Sequence, residues 1–161
     1  MDYLEDIRIG ERTETGRHTF TAEEIKRFAV SFDPQPFHTD EIAAAQTHFG
    51  ALCASGWHTA AVCMRYLITH RQRLVEAKRA RGEPIARFGP SPGFRNLRWI
   101  KPVYVGDTLT FATEPLATRV SESRPCWGLA TSLNTGMNQN DDLVYSFEGA
   151  VFVERRPAAT V

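Results

Sequence analysis

The chain has no excess of either charge. Lys+Arg and Asp+Glu each number 19 in 161 residues, giving a formal net charge of zero. A general nucleic-acid binder needs a basic excess, so that class has no support here. Cysteine is scarce. Cys53, Cys63 and Cys126 are odd in number and lack CxxC spacing. This argues against a disulfide framework and for a reducing compartment, so the expected location is cytoplasmic. No run of about 18 apolar residues is present, so no membrane-spanning helix is expected. The first residues, MDYLEDIRIG, are acidic and lack the apolar core of a signal peptide. There is no Gly-x-Ser-x-Gly elbow, Walker loop or Rossmann fingerprint, and no internal repeat.

What is present fits one domain, with a core over about residues 16–153. A short first strand is expected at 17–20. Thr21-Ala22-Glu23-Glu24 then matches a capping box, and Ile25, Phe28 and Ala29 follow at helical spacing. Pro34 ends that helix, because the residue before a proline is pushed out of the helical region. Thr39 or Asp40 caps a short helix over 41–46. Ser55 caps the longest helix, whose expected inward face is Trp57, Ala60, Ala61, Met64, Leu67 and Ile68. Beyond Ile68 the helix turns basic and polar and runs into solvent, stopping near Gly82. The remainder reads as β, with strands expected at 94–101, at 108–117, at 126–135 alternating through Leu129, Thr131 and Leu133, and at 143–153 with Leu143, Tyr145, Phe147, Val151 and Val153 on one face. One apolar helix followed by a run of strands gives α+β, a sheet wrapped around the helix. Its edge strands invite pairing with a second copy.

The chemistry-bearing residues collect between 32 and 68. Asp33 and His38 sit five positions apart in a segment stiffened by Pro34 and Pro36. Aspartate before proline is common in turns, so Asp33 alone reads more readily as a turn residue. A rigid loop that carries two titratable groups also suits acid–base work. Ser55 and Gly56 open the long helix. They are a cap and a packing glycine, or a helix start that stabilises negative charge and admits a ligand to the backbone. His38, Asp40, His48 and His58 match no closed zinc spacing, so no metal is expected. Cys53 and Cys63 read as buried, unreactive thiols. The basic stretch 70–81 reads as a solvated face. Those arginines, or Arg95 and Arg98, are the candidates should the ligand carry phosphates.

Three segments taken together carry a resemblance. Asp33-Pro34-Gln35-Pro36-Phe37-His38, with Asp40 after it, resembles the hydratase motif of the MaoC-like dehydratases, which include the (R)-specific enoyl-CoA hydratases. Ala54-Ser55-Gly56-Trp57-His58-Thr59 is similar to that family's glycine-led start of the central helix, and the segment from Trp99 to Leu109 to its strand–proline–turn signature. Phe32 and Gln35 depart from the motif, where glycine and asparagine are usual. The resemblance implies a hot-dog fold, usually dimeric or in a higher homo-oligomer. It implies an acyl-CoA thioester substrate, with coenzyme A part of that substrate and no separate cofactor. It places the catalytic pair on Asp33 and His38, and the oxyanion and substrate-binding position on Gly56 with Ser55 beside it. The implied reaction interconverts trans-2-enoyl-CoA and (R)-3-hydroxyacyl-CoA. A hot-dog thioesterase, or a non-catalytic acyl-CoA-binding subunit, are the alternatives.

Overall fold

The computed structural model describes residues 2–157. After a single 3-10 turn at Leu4–Asp6, the elements run β1 Thr13–Thr19, α1 Ala22–Phe32, α2 Pro36–Thr39, α3 Glu41–Ala45, α4 Gly56–Ala80, β2 Gly93–Trp99, β3 Thr108–Val120, β4 Trp127–Met137 and β5 Leu143–Glu154. The strands form one antiparallel sheet in the order β1-β3-β4-β5-β2. The 25-residue helix α4 packs against it. This is the helix-in-sheet arrangement expected from the sequence. Among the described residues no helix is long and apolar enough to cross a membrane.

Local chemistry sets the helix boundaries. Thr21 Oγ1 accepts from the Glu24 N–H, but the Glu24 carboxylate does not return to Thr21 as a capping box requires. It takes the His18 Nε2 proton instead, at 2.6 Å. Asp33 closes α1, its N–H donating to Ala29 O at 2.8 Å, and Pro34 prevents a further turn. Pro36 opens α2 at a position where its missing N–H costs nothing. Asp40, rather than Thr39, caps α3 by accepting from Ala43 N–H at 2.7 Å. His38 lies within α2 and is buried, where the sequence put it at or before a helix start.

Two expected faces are corrected. The inward face of α4 is His58, Thr59, Val62, Cys63 and Leu67, while Trp57, Met64 and Ile68 are 53%, 45% and 40% exposed. The helix carries apolar residues on two sides, and periodicity alone does not say which side meets the sheet. The face chosen by the sheet fits smaller side chains under Phe111 and Tyr145. On β4 the core-facing residues are Gly128, Ala130, Asn134 and Gly136, not Leu129, Thr131 and Leu133. Small residues are needed there: a Cβ on Gly136 would come within 3.1 Å of the Phe111 ring, and one on Gly128 would collide with Leu4. On β5 the expected stripe holds at Tyr145, Phe147 and Val153, which are buried, while at the start of the strand Val144 is buried and Leu143 is not.

Candidate active site

The loop and short helix after α1 bring Asp33 and His38 together at the N-terminal end of α4. His38 Nδ1 lies 2.7 Å from the Cys53 carbonyl oxygen, which only accepts, so Nδ1 carries the proton. This fixes the ring and leaves Nε2 facing Asp33, 3.5 Å from Oδ2. When His38 is neutral, its Nε2 lone pair meets a carboxylate that is itself only an acceptor. A donor held between the two satisfies both, and water is the smallest one.

Asp33 is held by both oxygens. Gln35 Nε2 donates to Oδ1 at 2.7 Å and Ser55 Oγ donates to Oδ2 at 2.6 Å. Partial burial raises its pKa, but the donors Ser55 and Gln35 and the nearby His38 outweigh it, and the carboxyl is held below its ordinary value. Ser55 also caps α4, its Oγ accepting from Trp57 N–H at 3.2 Å. The Ser55 hydroxyl thus donates to the carboxylate while its oxygen caps the helix. Of the four N–H groups in the first turn, Trp57 donates to Ser55 Oγ, and His58 and Thr59 donate to Ser55 O. Gly56 N–H has no acceptor among the described residues. Asp33, His38, Ser55, Gly56, Trp99 and Val144 are among the walls of one cavity of about 530 Å³.

The other sequence candidates are elsewhere. His58 is buried, stacked on Phe28 at 4.7 Å and edge-on to Phe20, and its Nδ1 has no hydrogen-bond partner among the described residues. His48 lies against Phe49, and Asp40 is occupied as a cap. Among the described residues no three His, Cys, Asp or Glu side chains gather as a metal requires. Burial pushes the Cys53 thiol up to about 11 and that of Cys63 up to about 12, which leaves both inert. Arg95 is paired with Glu148 at 2.7 Å. Three contacts went unanticipated: the Cys53 carbonyl on His38, the Ser55 hydroxyl on Asp33, and the indole of Trp99 over Gly56. Only the third had a sequence trace, since a glycine opening a helix signals a close approach.

Comparison with known proteins identifies the family. A family description, the MaoC-like domain, matches residues 6–126. The solved structure of a MaoC-like dehydratase from Rhodospirillum rubrum is 40% identical, superposes with a TM-score of 0.82, and the match covers 98% of this chain and 99% of that one. Protein YdeM of Bacillus subtilis, itself uncharacterised, is 28% identical over 94% of this chain and 99% of its own length. An (R)-hydratase from A. caviae involved in PHA biosynthesis shares the fold, at 24% identity and a TM-score of 0.63 over 94% of this chain and 98% of that one. With its family model, its hot-dog sheet and helix, and its Asp–His pair at the helix start, the chain belongs to the MaoC-like dehydratase family.

Proposed function

We propose that this protein is a hydro-lyase that interconverts a trans-2-enoyl-CoA and the (R)-3-hydroxyacyl-CoA. The observation that carries the reading is the 3.5 Å approach of His38 Nε2 to Asp33 Oδ2, in the same cavity as the unpaired Gly56 N–H. Water held between the two side chains attacks C3 of the conjugated thioester. One of the pair takes a proton from that water, and C2 receives a proton, so that H and OH add across the double bond. Charge that develops on the thioester oxygen meets Gly56 N–H and the positive end of α4. Ser55 and Gln35 hold the carboxylate in position. The reaction so written needs no metal or organic cofactor; coenzyme A enters with the substrate.

We infer further that the working unit is a homodimer joined through the β2 edges, with the acyl site near the boundary. Among the described residues β2 pairs only with β5, and Phe94 and Trp99 are exposed along it, with Ile100 just beyond. The outward stripe of α4, Trp57, Met64 and Ile68, adds apolar surface on the same molecule. The test of the function is a panel of enoyl-CoA substrates scored by loss of the conjugated double bond. Saturated acyl-CoA substrates scored for free thiol run alongside. Hydration without thiol release is expected. Thiol release without hydration makes the protein a thioesterase, and ligand binding with neither makes it a binding subunit.

A further inference from the structure

The indole of Trp99 fills the space that a side chain at position 56 would occupy. A Cβ placed on Gly56 would stand 2.5 Å from both Cε2 and Nε1 of that ring, closer than real Cβ atoms come. Gly56 is helical and has no left-handed backbone, so conformation does not account for a glycine there. Trp99 is the last residue of the edge strand β2 and is 46% exposed. Its ring meets that of Trp57 nearly at right angles, with centroids 5.1 Å apart. Both indoles line the cavity that holds Asp33 and His38. A half-exposed aromatic ring resting on bare backbone is a roof over the first turn of α4.

The geometry points to Trp99 as a specificity-determining residue: its indole limits the clearance above Gly56, admitting acyl thioesters unbranched at C2 and excluding those substituted there. This inference rests on the hydro-lyase reading. With the thioester oxygen at Gly56 N–H, the substrate atoms nearest the roof are the carbonyl carbon and its two neighbours, sulfur and C2. Sulfur is the same in every acyl-CoA, so C2 is where substrates differ beneath the ring. C3 lies beyond it, toward Asp33 and His38. A planar enoyl thioester fits below an aromatic ring, and a methyl group at C2 widens it where space is least. A ring that merely packs on Trp57 predicts no such discrimination.

The experiment compares kcat/KM for crotonyl-CoA and 2-methylcrotonyl-CoA in the wild type, Trp99→Phe and Trp99→Ala, by loss of enoyl absorbance. The methyl group also changes intrinsic reactivity, so the readout is the change in the ratio between proteins. One methylene in a pocket supports discrimination of about 10–200-fold. Trp99→Ala is expected to shift the ratio toward the branched substrate by about tenfold or more, with Trp99→Phe between it and the wild type. An unchanged ratio in active variants overturns the role of Trp99. If Trp99→Ala melts far below the wild type, Trp99→Phe decides on the same criterion. Complete loss of turnover in a well-folded Trp99→Phe also overturns the inference, since it makes the indole a requirement and not a filter. A wild type that hydrates neither substrate overturns the hydro-lyase reading and this inference with it, whereas an active wild type with an unmoved ratio removes only the inference.

Discussion

At the scale of single residues, the carboxylate–imidazole pair was legible because two prolines and a helix start lie within a few positions of it. The groups that hold the pair were not. Ser55 reaches Asp33 across 22 positions and Cys53 O reaches His38 across 15, contacts that no local spacing encodes. Ser55 therefore offers a pH test. Its hydroxyl donates to the charged form of Asp33 and so lowers that pKa. Removing the donor in Ser55→Ala raises the pKa toward the ordinary carboxylate range, so the ionised form is lost at a higher pH on acidification. The acid limb of the kcat/KM profile should move to higher pH, with a loss of about 1 kcal/mol in stability from the missing cap. A profile superimposable on that of the wild type would show that the 2.6 Å contact does not tune Asp33.

At the scale of elements, helix and strand existence followed from periodicity, and the choice of buried face did not. Both apolar sides of α4 have helical spacing, and the sheet takes the one bearing Val62, Cys63 and Leu67. Val62→Asp is accordingly expected to cost several kcal/mol, about 3 or more, by placing an unpaired charge in the core. Met64→Asp, two residues further on and on the outer side, is expected to leave the melting temperature of the isolated fold nearly unchanged. Equal destabilisation by both would contradict the observed face. His58 adds a pH dependence to the same helix. Burial lowers its pKa from 6.5 to about 4. The unfolded chain therefore binds the proton more readily between those values, and stability falls as pH drops from about 6.5 toward 4. His58→Phe keeps the ring in its stack with Phe28 and removes the titration. Melting temperatures at pH 7 and pH 4.5 should diverge more for the wild type than for the variant, and equal divergence would exclude His58 as the source.

At the scale of the whole molecule, the succession of small helices, one long helix and a run of strands announced the architecture. The strand order β1-β3-β4-β5-β2 was beyond reach, because β1 joins β3 and β2 joins β5 through pairings far apart in the chain. Those pairings leave β1 and β2 as edges, and the exposed residues of β2 and α4 ask for a partner. Sedimentation is expected to give about twice the chain mass of 18.1 kDa. Met64→Asp, by placing a charge on the outer stripe, is expected to shift the protein toward monomer while it remains folded. A stable and fully active wild-type monomer would contradict the dimer.

The central claim is that Asp33 and His38 act together on one water. The most direct measurement is turnover of an enoyl-CoA by Asp33→Asn, His38→Ala and the double variant, beside a saturated acyl-CoA scored for thiol release. Asp33→Asn is expected to melt close to the wild type, whereas His38→Ala, which removes a buried ring and its hydrogen bond to Cys53 O, is expected to lose about 1–3 kcal/mol and remain folded, as is the double variant. Each single change is expected to remove most hydration, and the double variant to be scarcely worse than either, as for residues that function as a unit. Hydration by His38→Ala at a rate near that of the wild type would contradict the account.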